Sequence, residues 1–205
     1  MTAYSAAARP LGVLLVFAHG AGAGEKHPFM TGYARALAAR GVDVVTFEFP
    51  YMAQKRRAPD RPPVLEQAFR DAVAAARQGR ERHRLFVGGK SMGGRIATHL
   101  ATEPGLGLSG VFSLGYPLHP PGKAEQKRIA HFPRIAVPWL IVQGERDAFG
   151  TPAELEPELA AVTSPVHLHV VAGGDHSLVV KGRAAEDVRA DVIDAIVNWL
   201  AGLPW

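Results

Sequence analysis

Arg84-Leu85-Phe86-Val87-Gly88-Gly89-Lys90-Ser91-Met92-Gly93-Gly94-Arg95 decides the fold of this chain. Leu85, Phe86 and Val87 form a short apolar run of strand-forming side chains. A helical pattern follows over residues 91–102. Gly89 and Gly93 stand two positions either side of Ser91, which fits Gly-x-Ser-x-Gly, a tight strand-to-helix turn. Such a turn holds the serine in a strained backbone conformation and leaves no room for side chains two positions away. The serine Oγ then projects above the sheet. The helix starting there aims its unpaired N–H groups and positive dipole end at developing negative charge. The pattern predicts a nucleophile at Ser91.

Outward from this turn, apolar runs at 11–18, 42–47, 110–114, 137–142 and 166–171 alternate with helical patterns at 29–39, 64–77, 153–161 and 184–200. Most of the runs are nearly continuous, which suits parallel strands covered on both faces. The run at 166–171 alternates more, which suits an edge strand. Val188, Val192, Ile196 and Leu200 recur every four residues and mark the buried face of the last helix. The alternation predicts a three-layer α/β/α sandwich with right-handed crossovers, one domain over 1–205. The longest irregular piece, 115–134, holds Pro117, Pro120, Pro121 and Pro133. Loops of that length are functional or disordered, and it is the lid candidate.

Three further motifs fall at strand ends. His19-Gly20-Ala21-Gly22-Ala23-Gly24 follows the first run. A His-Gly turn there offers one backbone N–H of an oxyanion hole, assigned to Ala21 with Gly22 as the near alternative; Met92 supplies the other. His19 itself is read as fixing the loop. Trp139-Leu140-Ile141-Val142-Gln143-Gly144-Glu145-Arg146-Asp147 places Asp147 three residues past a strand-ending glycine. Glu145 is the alternative acid, and a mere helix cap near Thr151 is the alternative role. Val171-Ala172-Gly173-Gly174-Asp175-His176-Ser177 puts His176 after the last strand. Ser91, Asp147 and His176 thus arrive in the order a Ser-Asp-His triad needs. Asp175 is expected to brace the turn, and Lys90 to point away from the site to an outer partner.

Two competing readings fail on named residues. A phosphate-binding loop ending in Gly89-Lys90-Ser91 needs glycine at position 84, which is Arg84. A dinucleotide fingerprint beginning at Gly20 needs glycine or alanine where Glu25 stands, and that carboxylate would repel a pyrophosphate.

The 205 residues suit one domain, and burial of roughly 70% of the unfolded surface is within reach at this size. There is no cysteine. Disulfides, thiolate metal sites and a cysteine nucleophile are excluded, and a reducing cytoplasm suits the composition. Net charge is +4. The one basic cluster, Lys55, Arg56, Arg57 and Arg61, lacks interleaved aromatics, so it reads as a solvated surface and no nucleic-acid partner is expected. The run at 11–18 is too short to span a membrane, and the N-terminus lacks a signal-peptide pattern. No cofactor and no metal are expected.

Together these motifs resemble the α/β-hydrolase superfamily from Leu11 to Leu203. More narrowly, Gly88 to Arg95, Gly115-Tyr116-Pro117-Leu118-His119-Pro120 and Gln143 to Pro152 look like a small, lidless, dienelactone-hydrolase-like branch. That branch also includes a subunit of the human non-specific-lethal histone acetyltransferase complex and a testis-expressed relative. The resemblance implies the fold, the triad positions and the absence of a cap domain. The superfamily sheet has eight strands, but only about ten residues precede the oxyanion-loop strand here. The resemblance therefore implies six strands, mainly parallel, in the order 2-1-3-4-5-6. Dienelactone hydrolases proper use a cysteine, which this chain lacks. The expected activity is that of a serine esterase or thioesterase on a small-molecule ester; an acyltransferase and a non-catalytic binding module are the alternatives. The expected substrate walls are Phe29 and Met30, Tyr51 and Met52, and Tyr116, Pro117, Leu118 and His119.

Overall fold

A computed structural model describes residues 1–7 and 9–204. In chain order the elements are β1 (Thr2–Tyr4), β2 (Val13–Ala18), α1 (Pro28–Ala39), β3 (Val42–Phe47), α2 (Pro50–Ala53), α3 (Pro62–Arg77) and β4 (Arg84–Lys90). There follow α4 (Met92–Leu100), β5 (Leu108–Leu114), β6 (Trp139–Gly144), α5 (Pro152–Leu159), β7 (Val166–Val171) and α6 (Ala185–Gly202). Proline occupies the first turn of α1, α2, α3 and α5, where its missing N–H costs nothing. Thr151 and Glu154 close a reciprocal capping box on α5.

The sheet order is β1-β3-β2-β4-β5-β6-β7. The six expected strands are all present and parallel, in the expected order, with β7 at one edge. The expected count of six is corrected to seven. Thr2–Tyr4 pairs antiparallel with β3 and caps the other edge. Three residues carry too little periodicity to announce a strand. What fixes them is tertiary: the buried Glu25 carboxylate accepts from Thr46 Oγ1 at 2.9 Å and from Thr2 Oγ1 at 3.2 Å. Those bonds also account for the acid that argued against a dinucleotide site.

Alternation along β2 explains its unbroken hydrophobicity. Leu14, Val16 and Ala18 face the layer of α3, α4 and α5, packing with Phe69, Ile96 and Leu155. Val13, Leu15 and Phe17 face α1 and α6, packing with Met30, Leu37 and Val192. Both faces are covered, so neither register position tolerates a polar side chain. Among the described residues no helix is long and apolar enough to cross a membrane.

The turn at Ser91 is set by backbone crowding. A Cβ on Gly93 would stand 2.5 Å from the carbonyl oxygens of both Ala18 and His19. One on Gly94 would stand 2.7 Å from Gly89 O. The glycines let the start of α4 rest directly on the end of β2. Gly93→Ala should cost about 2–3 kcal/mol in urea unfolding through overpacking. Gly105→Ala, where an added Cβ meets nothing within 4 Å, should stay within about 0.5 kcal/mol. Equal values for the two would remove close approach as the reason for the motif glycines.

Candidate active site

Ser91 lies between β4 and α4 with φ 51° and ψ −117°. A non-glycine residue at positive φ stores strain that its surroundings must hold. The backbone supplies that hold, since Ser91 N–H donates to Leu114 O at 2.9 Å. Ser91 makes no side-chain cap for α4, which leaves Oγ for another partner. That partner is His176 Nε2 at 2.8 Å.

The other face of the imidazole meets Asp147. His176 Nδ1 lies 2.8 and 2.9 Å from the two carboxylate oxygens. A carboxylate only accepts, so Nδ1 carries the proton and Nε2 turns its lone pair to Ser91. Asp147 is 1% exposed. A carboxylate buried this deeply needs its lone pairs filled. Phe149 N–H donates to Oδ1 at 2.8 Å and Gln143 Nε2 to Oδ2 at 2.9 Å. The stated alternatives fall elsewhere. Glu145 accepts from Gly173 N–H at 2.7 Å, and Thr151 rather than Asp147 caps α5.

The strand-end loops are tied to each other. Arg146 N–H donates to Gly174 O at 2.8 Å, which joins the loop after β6 to the loop after β7. Asp175 Oδ1 accepts from Ser177 and Val179 N–H at 2.8 and 2.9 Å, so Asp175 braces the turn as expected.

On the opposite side, His19 fixes the first loop. Its Nε2 accepts from Phe49 N–H at 3.0 Å, and Nδ1 donates to Gly20 O at 2.7 Å. Both ring nitrogens are spent. Burial lowers its pKa, opposed by the bond to Gly20 and the charges of Glu48 and Glu25. Among the described residues, the N–H groups of Ala21 and Met92 donate to no protein acceptor. They are the two amides named from sequence.

A cavity of about 530 Å³ opens over Ser91, with Phe29, Met30, Phe149 and Val179 as apolar walls and Ala21 and His176 at its floor. Of the expected walls it includes Phe29 and Met30 and none of the others. Tyr51 is fully buried, its hydroxyl donating to Ala21 O at 2.9 Å. It supports the loop from behind because a buried phenol must find an acceptor. Burial raises its pKa to about 12, helped by Asp60 and Glu48. Met52 packs against the core beside Gly24. Tyr116 and Leu118 are fully buried, with Tyr116 Oη donating to Arg128 O at 2.7 Å. These last two belong to 115–134, so that loop packs on the α3–α5 layer and contributes nothing to the cavity. It is no lid over Ser91 in this structure.

Lys90 also departs from expectation. Its ammonium turns inward, donates to the His176 carbonyl and lies 5.8 Å from the Phe29 ring centroid. Burial lowers it to about 8, against the attraction of Asp147 and Asp175. Gln143 and Phe149 escaped sequence reading. Gln143 is a fully buried polar residue ending an apolar strand, which was a usable signal. Phe149 stacks on His176 at 4.1 Å, and nothing in its sequence context marks it.

The alpha/beta hydrolase domain family matches residues 12–201, and the chain belongs to it. Solved structures agree in fold. An alpha-beta serine hydrolase homologue from Coxiella burnetii is 19% identical, covering 97% of this chain and 89% of its own, with a TM-score of 0.76. A lidless α/β serine hydrolase from Xanthomonas campestris is 21% identical, covering 96% and 86%, at 0.75. A dienelactone hydrolase from Anabaena variabilis is 17% identical, covering 100% and 97%, at 0.75. The chain is similar to the dienelactone-hydrolase-like branch, and its helices form no cap domain.

A free lysine titrates near 10.5 and the folded Lys90 near 8. Below pH 8 both states hold the proton, and the cost of burying the charge is fully present. Between about 8 and 10.5 the unfolded chain binds more protons, so Lys90 makes stability rise with pH. The stability of Lys90→Met relative to wild type should therefore fall by up to about 3 kcal/mol across that window. A difference independent of pH would place the ammonium in water.

Proposed function

We propose that the chain is a serine hydrolase that cleaves a carboxylic ester or thioester through an acyl-enzyme on Ser91. The observation that carries this reading is the series Ser91 Oγ, His176, Asp147, with each link at 2.8 Å, opening on an apolar cavity. In this reaction His176 Nε2 takes the Ser91 proton as Oγ attacks the carbonyl carbon. Asp147 keeps the proton on Nδ1 and offsets the positive charge of the imidazolium. The oxyanion settles on the amides of Ala21 and Met92, fixed dipoles that need no reorganisation. Collapse of the tetrahedral adduct breaks the bond to the leaving alcohol or thiol, which takes the proton from His176. Water, deprotonated by His176, then attacks the acyl-serine and regenerates Oγ–H.

The substrate is a small ester whose apolar part meets Phe29, Met30 and Phe149; no cofactor, metal, nucleic acid or membrane takes part. A cysteine-free chain suits action in the cytoplasm.

Turnover of p-nitrophenyl acetate and butyrate tests the proposal. Ser91→Ala and His176→Ala should each lower kcat by about 10⁴-fold or more with unchanged circular dichroism. Ser91→Ala turning over as fast as wild type would refute an acyl-enzyme at this residue.

A further inference from the structure

A second cavity lies away from Ser91, beneath the 115–134 loop. Its volume is about 360 Å³, within the range of small-ligand sites. Three arginines line it from two segments: Arg95 from α4, and Arg128 and Arg134 from the 115–134 loop. His99 and His131 form a further wall, their rings 4.3 Å apart.

Among the described residues, Arg95, Arg128 and Arg134 form no ion pair. Arg128 Nη1 donates to a carbonyl, Pro117 O, at 3.1 Å. Two carboxylates, Glu66 and Glu103, also line the cavity, each turned to other partners. Glu66 holds His99 Nδ1 at 2.7 Å and Arg70 at 3.8 Å. Glu103 holds Arg70 at 3.1 Å. Lys127, also on the rim, pairs with Glu158. Glu66 attracts Arg95 without a direct ion pair between them; against the two carboxylates the lining sets Arg95, Arg128, Arg134 and Lys127, an excess of cations. Arg95 is partly buried and Arg128 stands near enough to oppose its charge.

The histidines form a wall whose N–H groups are already bonded, His99 Nδ1 to Glu66 at 2.7 Å and His131 Nε2 to Thr98. Thr98 Oγ1 donates to Arg95 O at 2.7 Å, so it accepts from His131 Nε2–H at 2.8 Å. Burial, followed by the charges of His99, Arg95 and Arg134, lowers His131 to about 3.

Like charges gathered in a partly desolvated pocket repel one another unless an anion joins them. Guanidinium forks match the oxygens of carboxylate and phosphate. Three forks offer more donors than the two oxygens of a carboxylate can accept, whereas a phosphate presents three terminal oxygens. We propose that this cavity binds a small phosphate monoester, with Arg95, Arg128 and Arg134 on the phosphate and the remaining space taken by its organic group.

Calorimetry at fixed ionic strength, with inorganic phosphate, phenyl phosphate and acetate, tests the site. Imidazole resonances of His99, His131 and His176 locate the binding. Saturable binding is expected for both phosphates, at least about tenfold tighter than for acetate, the scale of one charge-assisted hydrogen bond. Phenyl phosphate tighter than inorganic phosphate assigns the extra space to an organic group. The reverse order overturns the monoester. His99 and His131 should shift while His176 does not. Arg95→Met and Arg134→Ser should each weaken binding about tenfold. Arg134 is exposed, so its variant decides the matter if Arg95→Met fails to fold. Absence of saturation, equal binding of acetate, unchanged affinity in Arg134→Ser, or shifts confined to His176 would each overturn the proposal.

Discussion

The site depends on one close approach, that of the first turn of α4 to the last carbonyls of β2. Gly93 lies where any Cβ would strike the oxygens of Ala18 and His19. Because it has none, Ser91 is brought beside the loop that begins at His19. Ala21 then lines one cavity with Ser91, and Met92 follows the serine at the start of α4. Ser91 sits at positive φ, held by its N–H bond to Leu114 O at the end of β5, and its oxygen meets His176 Nε2 at 2.8 Å.

A second constraint acts from the other side. Asp147 carries its charge in a buried place, and Gln143 is what makes this tolerable. The two N–H groups of the Gln143 amide are shared among Asp147, Gly150 O at 2.7 Å and Tyr116 O at 3.1 Å, while its Oε1 accepts from Tyr116 N–H at 2.7 Å. Every polar atom of that side chain is used. The network ties the acid to the start of 115–134, which explains why Tyr116 and Leu118 are core residues. A segment whose backbone is bonded into the support of Asp147 is not free to cover and uncover Ser91.

Much of this was legible in the residues. The parallel strands announced themselves because burial on both faces leaves unbroken apolar runs, as at Val13–Ala18. Ser91, Asp147 and His176 were legible because glycines mark the strand ends where the chain turns. What escaped were interactions with no local signature. The strand at Thr2–Tyr4 is held by Glu25, some twenty residues away along the chain. The inward turn of Lys90 depends on a carbonyl 86 residues further on. Tyr51, Met52, Tyr116 and Leu118 stand near strand ends in sequence, and position alone does not tell a cavity wall from the layer behind it.

The proposed reaction needs Ser91, His176 and the two amides to act as one reacting centre. A crystal structure of the protein after reaction with a small alkyl fluorophosphonate would reveal whether they do. Phosphorus should be bonded to Ser91 Oγ, with one phosphoryl oxygen within about 3.1 Å of both the Ala21 and Met92 nitrogens. Label on another residue, or a phosphoryl oxygen turned away from both amides, would contradict it.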